Sequence, residues 1–427
     1  MSAHFCNSRI RPLANDFVTV CESPSPATLF CYTPGLACTD DGRLIATMDF
    51  GGPGQPSFEP QGRIFISDDN GMQWCEKGSF PFIHARPFIV GGVLYVIGHA
   101  DTLVNGSGDL MIMRSDDRGE TWGTPVRLTH GQEWHQSACN VWFANECVYL
   151  VMELRVTRDI HGWYPGELAP VLMRASVDAD LLLAESWTFA SILSFRDVIP
   201  DIERDPGIDF FGVPFFASSY PSGITVAPGR DCAPIGWLEA NVVQFNDPAH
   251  IWHDPSGRTF HLWMRAHTGG TGYAAIAKVV EYDDGTMTTM LETVPSGKKI
   301  LFIPCPGGHM RFHVIFDKPS GLFWLLGTQA TDSMTRPELL SANRYNLPNN
   351  ERRRMHLYFS KNMVDWCFAG IVAEGASDLE SRNYGSMVVK GNDLLILSRS
   401  GDKRAASPHN GNLITFHVLR DFRKLVY

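Results

Sequence analysis

Apolar positions recur along the chain in short runs with β-strand character, not at helical spacing. Few long windows free of Gly and Pro carry an i, i+3, i+4, i+7 apolar stripe. β-branched and aromatic runs bounded by turn residues are frequent. Arg43–Met48 follows Asp41-Gly42, and Pro87–Ile97 is broken at Gly91-Gly92. Arg63–Ser67, Leu110–Arg114, Cys147–Leu154 and Met355–Ser360 are of the same kind. Thr259–Arg265 follows Ser256-Gly257, Leu322–Thr328 follows Ser320-Gly321, and Leu394–Ser398 follows Gly391-Asn392-Asp393. Closely spaced strand–turn–strand units without intervening helices predict an all-β sandwich, barrel or propeller.

A repeat decides among these. Ser67-Asp68-Asp69-Asn70-Gly71-Met72-Gln73-Trp74 returns 48 residues later as Ser115-Asp116-Asp117-Arg118-Gly119-Glu120-Thr121-Trp122. A worn copy, Ser360-Lys361-Asn362-Met363-Val364-Asp365-Trp366, lacks the Gly. Asp and Asn bond backbone N–H groups in such a turn, Gly supplies a positive φ, and Trp packs the hairpin down. The period suits one four-stranded propeller blade per repeat. These turns are read as structural.

The repeat resembles the Asp-box of sialidases and related β-propeller glycosidases. That resemblance implies one propeller domain over residues 1–427, of four-stranded blades. Six blades averaging about 70 residues are expected, with a seven-bladed ring as the alternative. Residues 192–235, rich in Pro, Asp and aromatics, are read as a rim insertion. The strand Asn412–Val418 is expected to close the ring against an N-terminal one.

Composition narrows the class. The chain has 427 residues, 44% hydrophobic and 19% charged, and 36 basic against 46 acidic side chains give a net charge of −10. The negative balance and the absence of a long basic run argue against nucleic acid as a partner. No apolar run reaches the roughly 18 residues of a membrane span. Met1–Leu13 lacks a basic start followed by an apolar stretch. A cytoplasmic location is therefore expected for the chain as written, and a secreted or periplasmic one if the start has been processed. Ten cysteines without a CxxC pair are read as reduced, buried thiols. Oligomeric state is not legible.

The resemblance also implies a site. Sialidases hold a substrate carboxylate with three Arg, the first in an Arg-Ile-Pro. Here Cys31-Tyr32-Thr33-Pro34-Gly35 occupies that frame, with Tyr32 or Thr33 in place of the Arg. A bidentate Arg is hard to replace, so the chain is not a typical sialidase, and sialic acid itself is disfavoured as substrate. The family's general acid lies on a loop before the first repeat; loop 49–61 offers Asp49 and Glu59, and Glu59 better fits the expected spacing. Trp237-Leu238-Glu239 and the strand ending in Arg265 match the family's Glu and second Arg. Asn383-Tyr384-Gly385-Ser386 resembles the segment of its nucleophilic Tyr. A phenol with an ordinary pKa of about 10 needs a neighbouring base to attack, the role implied for Glu239. The third Arg falls in Arg352-Arg353-Arg354; strand alternation would point inward either Arg353, or Arg352 together with Arg354, and Arg353 is taken.

Histidine is the feature the resemblance does not explain. His84, His99, His135, His250, His267 and His309 fall at expected strand ends or turns, where they could ring a pocket. His84, His135 and His267 are taken as substrate-binding. His309 and His313 have zinc-helix spacing, but Pro306-Gly307-Gly308 before them argues against a helix, so no metal site is expected. A structural calcium ion on the ring axis is the only cofactor left open.

The leading expectation is an exo-acting glycoside hydrolase removing a terminal sugar, acidic if the Arg residues hold a carboxylate. A uronate-cleaving polysaccharide lyase using His84, His135, Tyr384 and Arg265 is the second. A non-catalytic carbohydrate-binding propeller is the third.

Overall fold

The computed structural model describes residues 10–101, 108–135, 139–199, 208–209, 224–232, 235–267, 272–332, 335–340 and 351–427. Six small antiparallel sheets stand around a common axis as the blades of a propeller, four strands to a blade. Blade 1 runs Phe30–Cys38, Leu44–Gly51, Gly62–Ser67, Cys75–Phe80, and blade 2 runs Ile83–Val90, Val93–His99, Leu110–Ser115, Val126–Arg127. Blade 3 runs Trp134–His135, Cys147–Arg155, Leu168–Ser176, Thr188–Phe189, with Trp142–Ala144 beside it. Blade 4 runs Gly236–Val243, Thr259–His267, Tyr273–Glu281, Met287–Met290, with Phe302–Pro304 added. Blade 5 runs His313–Asp317, Leu322–Thr328, Arg354–Ser360, Cys367–Glu374. Blade 6 runs Arg382–Lys390, Asp393–Ser400, Leu413–Leu419, and takes its outermost strand from the N-terminus, Val18–Glu22 paired antiparallel to Leu413–Leu419. This closure joins the chain ends by a ladder of backbone hydrogen bonds.

Much of the expected insertion at 192–235 lies outside the described residues. Its described start is a single turn of helix, Phe195–Val198, capped reciprocally by Ser194 and Asp197. No helix among the described residues is long and apolar enough to cross a membrane. Cys21, Cys31, Cys38, Cys75, Cys139, Cys147, Cys305 and Cys367 are free thiols; Cys31, Cys139 and Cys305 are buried, but Cys75 is exposed.

The core is divided like the ring. Each interface between adjacent blades holds its own apolar cluster. Phe65 and Phe416 lie in the cluster between blades 6 and 1, and Phe195 packs edge-on to Trp237 in the one between blades 3 and 4. The outer hairpins are pinned by the repeated turns. Ser67 Oγ accepts from Gly71 N (2.9 Å), Asp69 Oδ1 accepts from Gln73 N (2.9 Å), and Trp74 Nε1 donates to Gly71 O (3.1 Å). Ser115, Asp117 and Trp122 repeat all three bonds (2.8, 2.9 and 3.2 Å). In both copies two residues have positive φ, Asn70-Gly71 and Arg118-Gly119, whereas the worn copy is one residue shorter and needs only Met363 there.

At the hub the inner strands diverge too far to pair by ladders, and side chains stitch them together. Asn140 Nδ2 donates to Val242 O (2.7 Å) and its Oδ1 accepts from Val242 N (2.8 Å). Asn241 does the same to Phe312 O and Val314 N, both at 3.0 Å. Replacing Asn241 strands a buried N–H and C=O on blade 5, at roughly 1–3 kcal/mol each. Asn241→Ala is therefore expected to lower the unfolding free energy by about 2–4 kcal/mol in a denaturant titration. A loss below about 0.5 kcal/mol would mean that the stitches carry little of the ring's stability.

Candidate active site

One local device places the hub chemistry. In four blades the inner strand carries a bulge whose register slips between Tyr32 and Gly35, Ile83 and Arg86, Leu238 and Asn241, and Asn383 and Ser386. Each slip contains one non-glycine residue with left-handed backbone: Thr33 (φ 45°), His84 (φ 53°), Glu239 (φ 58°) and Tyr384 (φ 52°). Such a conformation costs an L-residue about 1–2 kcal/mol, and a bulge re-aims its side chain. The residue before each slip faces Asp49, His99, Arg265 or Arg399 at the end of the second strand. The hub thus receives four pairs: Thr33 with Asp49, His84 with His99, Glu239 with Arg265, and Tyr384 with Arg399.

Tyr384, Glu239 and Arg265 meet although far apart in sequence. Tyr384 Oη donates to Glu239 Oε1 (2.9 Å) and accepts from Arg265 Nη1 (2.8 Å), and Arg265 Nη1 lies 3.4 Å from Glu239 Oε2. Arg265 Nε donates to His309 O (2.8 Å), which fixes the guanidinium plane. Burial opposes the charge of Arg265, but Tyr384 and Glu239 outweigh it and hold the guanidinium above its ordinary range. The Tyr384 backbone is gripped from the segment leading into blade 5, where Arg311 donates to Tyr384 O (2.5 Å), Gly385 O (3.1 Å) and Ser386 Oγ (2.9 Å). Ala240 N, beside Glu239, donates to Glu153 Oε1 (3.0 Å), and burial raises the Glu153 carboxyl well above its usual range.

Two more buried guanidinium groups face the phenol ring, Arg352 and Arg399, each with Cζ 5.2 Å from the ring centroid. Arg399 also lies over Tyr32 at 4.2 Å and donates to His409 O, with His409 Nδ1 3.2 Å from its Nη2. Arg352 Nη1 donates to Asn383 Oδ1 (3.2 Å). Burial lowers both, Arg352 to about 10. Among the described residues neither makes an ion pair with a carboxylate, and the Nε of each has no hydrogen-bond partner. Buried cations are costly to desolvate, and Tyr32, Tyr384, Asp49 and Glu239 are the groups that offset the cost at Arg399.

Five of the six candidate histidines gather in two places; His250 lies apart, stacked on Phe245 (ring centroids 3.8 Å apart) with its Nε2 3.3 Å from Asn362 O. His84 Nδ1 is 2.9 Å from His99 Nε2, and the His135 ring lies 4.7 Å from that of His84. His267 and His309 lie on the Arg265 side, where burial holds both low, His309 at about 3. Trp163 spans the two groups, 5.3 Å from His135 and 6.1 Å from His267 between ring centroids.

Two residues expected to act on the sugar, Glu59 and Arg353, do not join the cluster. Glu59 lies on the exposed loop, and among the described residues its carboxylate makes no bond to the hub. Arg353 turns away: its Nη2 pairs with Glu374 (3.1 Å), as Arg354 Nε does (2.9 Å). Alternation does not decide this run because the ladder begins only at Arg354, leaving Arg352 off it and free to turn inward. Asp49, weighed beside Glu59, is buried under the hub, where its Oδ1 accepts from His84 N (3.1 Å). Burial raises its carboxyl to about 7, against the lowering effect of bonds from His84 N and the Thr33 hydroxyl. Arg399 is not among the residues the sequence singles out; its one signal is that it is the single basic residue of the strand Asp393–Ser400.

No family model and no curated protein matches the sequence. Solved structures do match in shape. An alpha-L-arabinanase of Penicillium chrysogenum complexed with arabinobiose has a TM-score of 0.52 at 12% identity, over 97% of this chain and 100% of that one. The GH93 alpha-L-arabinofuranosidase of Fusarium graminearum with arabinobiose gives 0.52 at 11%, over 96% and 98%. The Hadza microbial sialidase Hz136 gives 0.53 at 15%, over 95% and 68%. The fold is that of a sialidase-like six-bladed propeller. At these identities the likeness speaks for the architecture. What the hub can do rests on its own residues: a phenol bonded to a carboxylate, a carboxyl poised near neutrality, and a wall of guanidinium groups.

Proposed function

We infer that this protein is an exo-acting glycoside hydrolase of sialidase-like type that releases a terminal sugar bearing an anionic group. The observation that carries the reading is the Tyr384 Oη bond to Glu239, braced by Arg265. Glu239 takes the phenolic proton as Oη attacks the anomeric carbon, and Asp49 in its protonated form gives a proton to the departing glycosidic oxygen. Water then attacks the glycosyl–tyrosine bond, Asp49 takes a proton from that water, and Glu239 returns one to Oη. Arg352 and Arg399 hold the anionic group of the sugar, with Arg399 supplying from blade 6 the cation that Thr33 and Tyr32 do not supply from blade 1. The neighbours named above are an arabinanase, an arabinofuranosidase and a sialidase, and all three hydrolyse glycosides, which supports the same reaction class.

Incubation with a panel of acidic and neutral oligosaccharides tests this. The expected product is a free terminal acidic sugar, with one water gained. An unsaturated uronate absorbing in the ultraviolet would instead indicate the lyase route through His84 or His135 with Tyr384 and Arg265. Unchanged mass on every substrate would leave a carbohydrate-binding propeller. Arg399→Met and Arg352→Met are each expected to raise KM for the acidic substrate roughly 10- to 100-fold, the loss of one charged hydrogen bond. KM for a neutral analogue should hardly move. Equal effects on both substrates would remove the anion from the reading.

A further inference from the structure

The His84–His99–His135 cluster is assembled from three separate segments, and the hydrolytic reading gives it no role. His84 comes from the bulge of the inner strand of blade 2, His99 from the end of the next strand, and His135 from the inner strand of blade 3. One nitrogen from each ring lies within 4.8 Å of the other two. The rings meet at angles, with centroids 4.9, 4.7 and 5.7 Å apart, so the nitrogens converge and the planes do not stack.

We propose that these three imidazoles bind one divalent transition-metal ion, zinc or a close neighbour of it. The donor set is the first argument. Three ring nitrogens with no carboxylate among them suit zinc, cobalt or nickel and disfavour calcium and magnesium, which take oxygen ligands. Orientation is the second. His99 Nδ1 lies 3.1 Å from Ala100 O and donates to it, which fixes the tautomer and turns the Nε2 lone pair toward His84. His84 is itself positioned by its N–H bond to Asp49 and by the left-handed bulge. Spacing is the third. Bonds of about 2.0–2.1 Å set tetrahedral ligands about 3.4 Å apart, between the 2.9 Å of the closest pair and the 4.8 Å that bounds all three. Small side-chain rotations reconcile these values. Three protein ligands leave a fourth position for water or a substrate hydroxyl, and Trp163 packs against His135 beside it.

The competing account is a chain of hydrogen bonds among neutral imidazoles, which requires no ion. Protein purified without chelators or an affinity metal is analysed for bound elements, then stripped and titrated with ZnCl2, CoCl2 and CaCl2 alone. The expected result is one equivalent of zinc or cobalt per chain. It should bring a rise in Tm at about 100 times Kd, and cobalt ligand-field bands without a thiolate charge-transfer band. His99→Gln and the milder, half-buried His84→Gln should each weaken binding at least 10-fold. The wild-type titration decides even where a variant fails to fold. Absence of binding and of any Tm shift in the wild-type chain would overturn the proposal. So would a shift with calcium alone, a thiolate band, or undiminished affinity in a folded His84→Gln.

Discussion

Tyr384→Phe should reduce kcat by about three orders of magnitude or more, while Tm moves by no more than about 3 degrees. The change deletes a single oxygen. Glu239 and Arg265 keep each other as partners at 3.4 Å, the Arg311 bonds are to the backbone and persist, and the ring still packs beneath Arg352 and Arg399. The stability lost is that of a charge-assisted hydrogen bond, about 1.5–3 kcal/mol, which a chain of this length absorbs with a small shift. The chemistry lost is the nucleophile itself; three orders of magnitude correspond to about 4 kcal/mol of barrier. Steady-state kinetics beside a thermal melt decide it. Retention of most activity discards Tyr384 as nucleophile, and a collapse of Tm makes the residue structural.

Asp49→Asn should cost about 10²- to 10⁴-fold in kcat on a natural glycoside. The loss should be far smaller on an aryl glycoside whose leaving group needs no proton. The same variant should be more stable than the parent at pH 8. Burial raises the Asp49 carboxyl to about 7 in the folded state, from about 3.9 in an unfolded chain. The folded protein therefore binds more protons than the unfolded one between roughly pH 4 and 7, and its stability falls as pH rises through that window. Asparagine removes the term: the stabilisation should be near zero at pH 4 and reach a few kcal/mol, roughly, above pH 7. Melts at pH 4 and 8 read it directly. Equal Tm differences at both pH values would mean that Asp49 is ionised in the fold and cannot serve as the acid. Glu59→Gln, on its exposed loop, should leave kcat within about twofold, because among the described residues no contact carries its charge to the hub.

The parts of the molecule legible in the sequence are those made by local chemistry. Turn residues and period-2 alternation marked the strands; the expected Leu322–Thr328 is found with those bounds, and Arg63–Ser67 and Thr259–Arg265 fall within a residue or two of theirs. The two Ser-Asp-Gly-Trp turns carry their hydrogen bonds within eight residues, so their meaning survives without the rest of the chain. Tyr384, Glu239 and Arg265 were found because a family pattern supplied long-range information. Alternation allows either Arg353 or the pair Arg352 and Arg354, and the rule holds only inside a ladder, whereas this run begins before the ladder does. Distance along the loop favours Glu59 over Asp49, but spacing does not encode burial, and it is Asp49 that lies buried at the hub. His84, His99 and His135 have no metal-binding spacing because their ligand set is put together by two blades.

By itself, then, the order of residues determined the blade: alternation, turn chemistry and the Trp-pinned hairpin are nearest-neighbour physics. Only closure of the ring decided the site. Bending six sheets about one axis brings bulged residues such as Glu239 and Tyr384, 145 positions apart, within 2.9 Å of each other. There, exclusion of water sets which carboxyl is neutral and which cations lack a partner.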